Sequence, residues 1–245
     1  MASPKIVLFI VEGETDERAL GRVLSKLVTD SLGYGVKFGI TRGDITSKYV
    51  SGKENPSSTI KKRVQSAARS FLNRYKLRWS DLCYIVFITD TDGAFISDEL
   101  IRFNPNECGF KYFDNHIEAS DTDGARIRND IKSSCLKVLA STSSMTYSKR
   151  RVPFKAAYMS RNLEHALSDY KIEASIEKKD ELAYAFNRRY GSSPAHFIRL
   201  INDIAPNGSY RDSWKYIADD TNSLKRGSNM KQVLEELGLQ ICMVS

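Results

Sequence analysis

Acidic residues follow each of the four apolar segments that predict β-strands. In chain order they are Glu12, Asp44, the pair Asp90 and Asp92, and Glu164. Asp16 lies about one helical turn beyond Glu12, at the start of the first predicted helix. Because ligands of open parallel α/β sheets bind at the carboxyl ends of the strands, we expect these side chains to collect at one edge of a sheet.

Carboxylates crowded into one crevice repel each other and must either take up protons or bind cations. Glu12, Asp16, Asp90 and Asp92 form such a set, and their oxygens are hard ligands that suit Mg²⁺ or Mn²⁺. Two ions about 4 Å apart stabilise both the entering and the leaving oxygen of a phosphodiester displacement. The sequence therefore predicts a site for Mg²⁺ or Mn²⁺, with two ions.

The plainer interpretation is that these motifs are only turns, because Asp and Gly are common turn residues. The tetrapeptide Asp-Thr-Asp-Gly occurs twice, at 90–93 and at 121–124. Only the first copy follows a predicted buried strand, whereas the second leads into a predicted helix. We therefore expect the second copy to be a helix cap or turn.

Strands and helices alternate along the first two thirds of the chain. Apolar runs predict strands at 5–11, 36–41, 82–89 and 154–159, and amphipathic spacing predicts helices at 15–29, 60–77 and 127–139 and one beginning near Asn162. This order predicts a parallel sheet with right-handed crossovers. We expect an α/β domain over residues 1–171, with an irregular, acidic insertion at 94–125. Residues 172–245 predict a helical C-terminal subdomain with helices at 177–189, 194–204, 210–219 and 229–237.

The composition excludes several classes of protein. With 245 residues, 41% hydrophobic and 27% charged, the chain is neither disordered nor collagen-like nor a coiled coil. It has no apolar run of about 18 residues, and the run at 6–11 is too short for a signal peptide, so we expect a cytoplasmic protein without membrane contact. Four cysteines without a CxxC pair, and three histidines, argue against a zinc site.

Positive charge is concentrated in one predicted helix. Residues 60–79 contain seven Lys and Arg residues and no acid, which equals the net charge of +7. Lys62, Arg69 and Lys76 are spaced seven residues apart and are predicted to share one face of this helix. We expect this face to bind a polyanion such as a nucleic acid. A second basic cluster, expected to bind the same partner, consists of Lys149, Arg150 and Arg151. The alternative is a solvated helix face that happens to be basic.

Two segments resemble the Toprim domain, the metal-binding fold of topoisomerases, bacterial primases and OLD-family nucleases. They are IVLFIVEGETDERAL at 6–20 and IVFITDTDGA at 85–94, and the resemblance covers residues 5–165. It implies a Rossmann-like sheet flanked by helices, with Glu12 as general acid/base or metal ligand. It also implies that Asp16, Asp90 and Asp92 coordinate Mg²⁺, with Asp90 and Asp92 among the catalytic residues. The segment YMSRNLEHAL at 158–167 is similar to the strand-then-Glu element of RloB-like and OLD-type proteins, which implies Glu164 as a further ligand.

The expected activity is a metal-dependent nuclease acting on RNA or DNA. The chain lacks the tyrosine-bearing domain of a topoisomerase, the zinc module of a primase and the GxxxxGK[ST] loop of an OLD ATPase. It therefore resembles small standalone Toprim proteins, which are RNA-processing nucleases or anti-phage defence effectors. A positive residue is expected at the scissile phosphate, and the candidates are Arg42, Lys155 and Arg161. In the C-terminal region, further nucleic-acid contacts through charge or stacking are expected from Arg188, Arg189, Tyr190 and Arg211.

Two alternatives remain open from the sequence. ITDTDGAFI at 88–96 also resembles the nucleophile loop of HAD-like phosphatases, with Asp219 and Asp220 as distal acids, although that loop usually follows the first strand. The second alternative is that the chain is a non-catalytic nucleic-acid-binding module. Either alternative, like the nuclease, could bind a protein partner or form a homo-oligomer.

Overall fold

The structure is a computed structural model that describes residues 5–48, 56–172 and 174–240. Its strands are β1 (Ile6–Val11), β2 (Gly35–Ile40), β3 (Leu82–Asp90), β4 (Ile101–Phe103), β5 (Phe110–Tyr112), β6 (Ile117–Ala119), β7 (Ser144–Tyr147) and β8 (Arg150–Met159). Its α-helices are α1 (Glu14–Leu32), α2 (Pro56–Arg74), α3 (Thr122–Ala140), α4 (Leu163–Ser168), α5 (Ile176–Tyr190), α6 (Pro194–Asp203), α7 (Tyr210–Ile217) and α8 (Met230–Glu236).

The central sheet has five strands in the order β2-β1-β3-β8-β7. The first four run parallel, as predicted, and end at one edge. All of β1 is buried, as is most of β3, which explains why their sequences are continuously apolar. Helices flank this sheet, with α1 packed on α5 and α2 packed on α3. The protein is therefore an α/β fold compatible with a Rossmann-like architecture.

The prediction of a wholly parallel sheet is wrong at one edge. The Ser/Thr-rich segment before β8 forms β7, which pairs antiparallel with β8. The two strands are joined through Ser148 and Lys149, both at positive φ (48° and 64°). So short a connection reverses the chain and cannot make a parallel crossover. The sheet is consequently mixed.

Helix α1 begins one residue earlier than predicted. Gly13 is the N-cap residue, and the Asp16 carboxylate accepts a hydrogen bond from the Gly13 amide at 2.9 Å. The apolar stripe that predicts the helix is buried as expected, from Ala19 to Val28. Asp16 is thereby fixed beside the end of β1.

The insertion at 94–125 is not irregular, which corrects the prediction. It contains a second sheet in the order β4-β6-β5 and a small core to which Ile101, Ile117 and, from the C-terminal region, Leu224 contribute. Each of its strands has three residues, too few for a period-2 pattern to be read.

The helical C-terminal region packs directly on the sheet. The four predicted helices correspond to α5, α6, α7 and α8 within a few residues. Buried residues such as Phe186, Trp214 and Val233 belong to the same hydrophobic core as β1 and β3. Within the described ranges, no helix combines the length and apolarity needed to cross a bilayer.

Candidate functional site

Glu12 and Asp90 lie side by side at the carboxyl ends of β1 and β3. The Glu12 Oε1 atom accepts hydrogen bonds from the Thr89 hydroxyl at 2.9 Å and from the Asp90 amide at 3.3 Å. Since β1 and β3 pair in parallel, residues far apart in the chain are adjacent here. The Glu12 carboxylate therefore lies against the backbone of Asp90 at one sheet edge.

The other predicted acids surround this pair. Burial raises the pKa of Asp90 well above its usual range, and the charges of Glu12, Asp92, Asp16 and Glu164 raise it further. Glu164 is a buried residue in the first turn of α4. All five carboxylates that the sequence singles out as metal ligands are therefore close enough to interact electrostatically.

Two of these acids titrate near neutral pH. Burial raises the pKa of Glu12 to about 8; Lys132 opposes the shift, and the charges of Asp44 and Asp92 add to it. Burial also raises the pKa of Asp16 to about 6, assisted by the charge of Glu164 and opposed by the hydrogen bond from Gly13. Near neutral pH, these buried carboxyl groups therefore keep protons that exposed carboxyl groups would have lost.

Lys132 is a site residue that the sequence reasoning missed. Its side chain is fully buried, with Nζ 2.6 Å from Asp92 Oδ2 and 2.9 Å from Asp44 Oδ2. Burial acts to lower its pKa, but Asp92, Glu12 and Asp44 together hold it above the usual lysine range. The same ammonium holds the pKa of Asp44 well below its usual range, against the effect of burial.

A signal for Lys132 is present in the sequence. On α3, Ala125, Leu136 and Leu139 are buried and lie on the same face as Lys132, at spacings of seven, four and seven residues. A lysine within an apolar helix stripe is almost never buried without partners. Such a residue is a reason to look for acids on facing elements.

The loop after β3 is held rigidly. The Thr91 amide donates to the Met159 carbonyl at 2.9 Å, and the Asp92 amide donates to the Arg161 carbonyl at 2.8 Å. Asp92 and Gly93 both have positive φ (47° and 65°), and a Cβ atom on Gly93 would lie 2.5 Å from Leu224 Cδ2. Glycine is thus required at 93, and the Asp92 carboxylate is fixed in place.

The second Asp-Thr-Asp-Gly copy caps a helix, as predicted. Asp121 is the N-cap of α3 and its Oδ1 atom accepts from the Gly124 amide at 2.9 Å. Asp123 is paired at 2.8 Å with Arg126 on the surface. The two copies therefore differ in structural role although their sequences are identical.

The three candidates for a positive residue at the scissile phosphate have different environments. Arg161 is buried, donates to the Leu224 carbonyl at 2.6 Å and pairs with Asp114. Lys155 pairs with Glu236 at 3.0 Å. Arg42 is exposed and, within the described residues, pairs with no acid. Arg42 is therefore the candidate whose charge remains available.

The predicted nucleic-acid-binding residues are not gathered at this edge. Lys149, Arg150 and Arg151 lie at the start of β8, whose ten residues place Arg150 about 30 Å from Met159, the partner of Asp90. Arg69 lies over the Tyr147 ring, 4.5 Å from its centroid, and so belongs to the β7 side. Helix α2 ends at Arg74, so Lys76, at φ 54°, does not share a helix face with Lys62 and Arg69, which corrects that prediction.

A groove borders the acidic edge instead. It has a volume of about 870 Å³ and lies over β2 between α1 and α2, with Arg18, Arg42, Arg63 and Arg74 among its lining residues and Glu14 and Glu17 at one side. The Gly43 amide donates to the Glu12 carbonyl at 2.9 Å, which joins the groove to the carboxylate cluster.

The carboxylates at this edge fit a divalent ion only in part. Among the described residues, no group of three or more His, Cys, Asp or Glu side chains is already arranged to hold one, and Asp92 is bound to Lys132. The Asp90 carboxylate, however, accepts no hydrogen bond from any described residue and faces other acids. Carboxylate oxygens with unmet negative charge fit a hard cation, and Glu12 and Asp90 are the residues that would hold it.

The metal-free protein should lose stability as pH rises from 6.5 to 8. A carboxyl group whose pKa is raised in the folded state stabilises the fold below its ordinary pKa, and this stability is lost as pH rises through the folded value. Glu12, with a pKa of about 8, acts in this window, whereas His165, whose pKa burial lowers to about 4, has no effect above about 6.5.

Thermal unfolding in EDTA at pH 6.5, 7.25 and 8 measures the effect. One proton corresponds to about 1.4 kcal/mol per pH unit, so the melting temperature should fall by several degrees. The Glu12→Gln variant should show a shallower decline. A melting temperature that rises across this range would show that the Glu12 carboxyl group is not perturbed in this way.

Comparison with known proteins identifies no relative. No family model, curated protein or solved structure matches the chain. Fold alone does not determine function, so the function has to be argued from the geometry of the site.

Proposed function

We propose that the protein is a Toprim-like, metal-dependent phosphodiesterase that cleaves RNA or DNA. The observation that carries this proposal is the contact between Glu12 and Asp90 at the ends of two adjacent parallel strands, with Asp16, Asp92 and Glu164 around them. Five carboxylates at one crevice are unfavourable unless protons or cations neutralise them. A divalent cation bound there suits phosphate chemistry.

The residues of the chain then have distinct roles. Glu12 and Asp90 would hold Mg²⁺ or Mn²⁺, with Asp16 and Glu164 next to them. An ion held there would polarise the phosphodiester and lower the pKa of a water molecule. Glu12 would serve as general base or acid only through the carboxylate oxygen that does not hold the ion. The rigid 90–93 loop holds Asp90 and Asp92 in fixed positions relative to Glu12.

The substrate path follows the groove over β2. Arg42 stands where this groove meets the acidic edge, and its charge is not neutralised by a described acid. It is the residue placed to contact a phosphate beside the reacting one, with Arg63 and Arg74 along the α2 wall. Lys149, Arg150 and Arg151 are about 30 Å away and are assigned no part in cleavage.

The phosphatase alternative has less support in the geometry. Its distal acids, Asp219 and Asp220, are exposed, and Asp220 lies 3.9 Å from Lys225. The acids whose charges act on Asp90 are Glu12, Asp92, Asp16 and Glu164. Of these, Glu12 has the largest effect on Asp90, and the phosphatase mechanism leaves it without a role.

A cleavage assay with end-labelled RNA and DNA, both single-stranded and duplex, tests the proposal. We expect cleavage with Mg²⁺ or Mn²⁺ and none in EDTA. Arg42→Ala should slow cleavage by about tenfold or more through the lost phosphate contact, while Arg150→Ala, at the opposite end of the sheet, should not change it. If no substrate is cut with either metal, the nuclease proposal is wrong; equal losses in both variants would contradict the assigned path.

A further inference from the structure

Lys132 places a positive charge inside the acidic cluster itself. Its ammonium bridges Asp92 and Asp44 at 2.6 and 2.9 Å, and its side chain is wholly inaccessible to solvent. Arg128 adds a second cation 3.8 Å from the same Asp92 oxygen. The Asp92 carboxylate is thus already neutralised before any metal is bound.

The bridging geometry resembles that of a metal ion shared by two carboxylates. Asp92, which follows Asp90 on the same 90–93 loop, would be the ligand of a second divalent ion in a two-metal centre. Lys132 occupies that position. Since Nζ contacts the Asp92 oxygen directly, a divalent ion there would meet an ammonium group at close range and be repelled by it.

Packing alone does not account for a lysine at this position. The neighbouring positions of the α3 stripe are Ala125, Leu136 and Leu139, and an apolar side chain at 132 would pack there without the desolvation cost of an ammonium. Asp44 is itself held for the contact, since its Oδ1 atom accepts from the Thr46 amide at 2.6 Å and the Thr46 hydroxyl at 2.5 Å. Both partners of Lys132 are therefore positioned by other groups.

We propose that Lys132 is a built-in replacement for the second metal ion, so that the site takes a single divalent ion, on Glu12 and Asp90. This inference rests on the proposed function and replaces its sequence-based expectation of two ions. Lys132 acts as a positioning residue: it orients Asp92 and supplies one positive charge beside the reacting phosphate that does not dissociate when metal is scarce.

Titration of the full-length protein with Mn²⁺, followed by calorimetry and by electron paramagnetic resonance, tests this inference without an activity assay. The wild type should bind one Mn²⁺ per chain and show no spin–spin broadening. Lys132→Met, which frees Asp92 and Asp44, should bind two ions and show broadening. Lys137→Met, an exposed lysine on the same helix, should bind one ion like the wild type.

The outcomes separate the inference from the proposed function. Two ions in the wild type would overturn the inference while leaving a metal-dependent nuclease intact. No ion in the wild type would overturn the proposed function and the inference with it. A single ion in folded Lys132→Met would show that Lys132 does not occupy a metal position. Should that variant fail to fold, the double variant Lys132→Met/Asp44→Asn removes one of the unpaired charges, and it should again bind a second ion.

Discussion

Asp90→Asn and Glu12→Gln should each reduce metal-dependent cleavage by about 10³-fold or more. Each substitution removes one negative charge from the pair that would hold the ion, and in Glu12→Gln the amide oxygen can still accept the hydrogen bonds from the Thr89 hydroxyl and the Asp90 amide. Since a buried, crowded charge disappears, the melting temperature of the metal-free variants should equal or exceed that of the wild type. Initial cleavage rates and thermal unfolding measure the two effects separately.

The chain supplies a matched control for this prediction. Asp123→Asn makes the same chemical change in the same tetrapeptide, but in the copy that begins α3, where Asp123 pairs only with Arg126. Cleavage by this variant should stay within about twofold of wild type, in keeping with a surface substitution. Equal losses from Asp90→Asn and Asp123→Asn, or full activity in Asp90→Asn, would rule out the assignment of the first copy to the site.

Replacement of Lys132 should produce the largest loss of stability. Lys132→Met leaves Asp92 and Asp44 without their shared cation, and removing one partner of a buried ion pair costs about 3–5 kcal/mol. For a chain of this size that corresponds to a fall of roughly 10 °C in melting temperature. Urea unfolding in EDTA gives the free energy directly.

A double-variant cycle identifies the cause of this loss. Adding Asp92→Asn to Lys132→Met should recover part of the stability, because the orphaned carboxylate is removed. Lys137→Met on the exposed side of α3 should change stability by less than about 0.5 kcal/mol. A loss below about 1 kcal/mol in Lys132→Met, or strict additivity in the cycle, would mean that the buried ammonium does not stabilise its acidic neighbours.

The sheet edge could be predicted from the sequence because the relevant strands are long and continuously apolar. β1 and β3 are recognisable from composition alone, and parallel pairing then requires Glu12 and Asp90 to lie at the same edge. The second tetrapeptide differs from the first on the same basis, since no buried strand precedes Asp121. These inferences depend only on local pattern and on the chirality of crossovers.

The position of Lys132 in an apolar stripe marks it as unusual, but the identity of its partners and the placement of the basic residues require information that local pattern does not contain. Lys132 reaches Asp92 and Asp44 from a helix that packs across the sheet edge, and nothing in the spacing of α3 specifies that contact. Helical periodicity likewise groups Lys62 and Arg69 but does not tell which end of the sheet they approach. The three-residue strands of the insertion and the β7 hairpin are too short or too polar to produce a signal.

Diffraction from crystals soaked in Mn²⁺, with data collected at the manganese absorption edge, tests the central claim most directly. We expect one anomalous peak in contact with the carboxylates of both Glu12 and Asp90, absent from crystals of Asp90→Asn. A peak at Asp121 or Asp123 instead, or no peak at the sheet edge at millimolar Mn²⁺, would contradict the account.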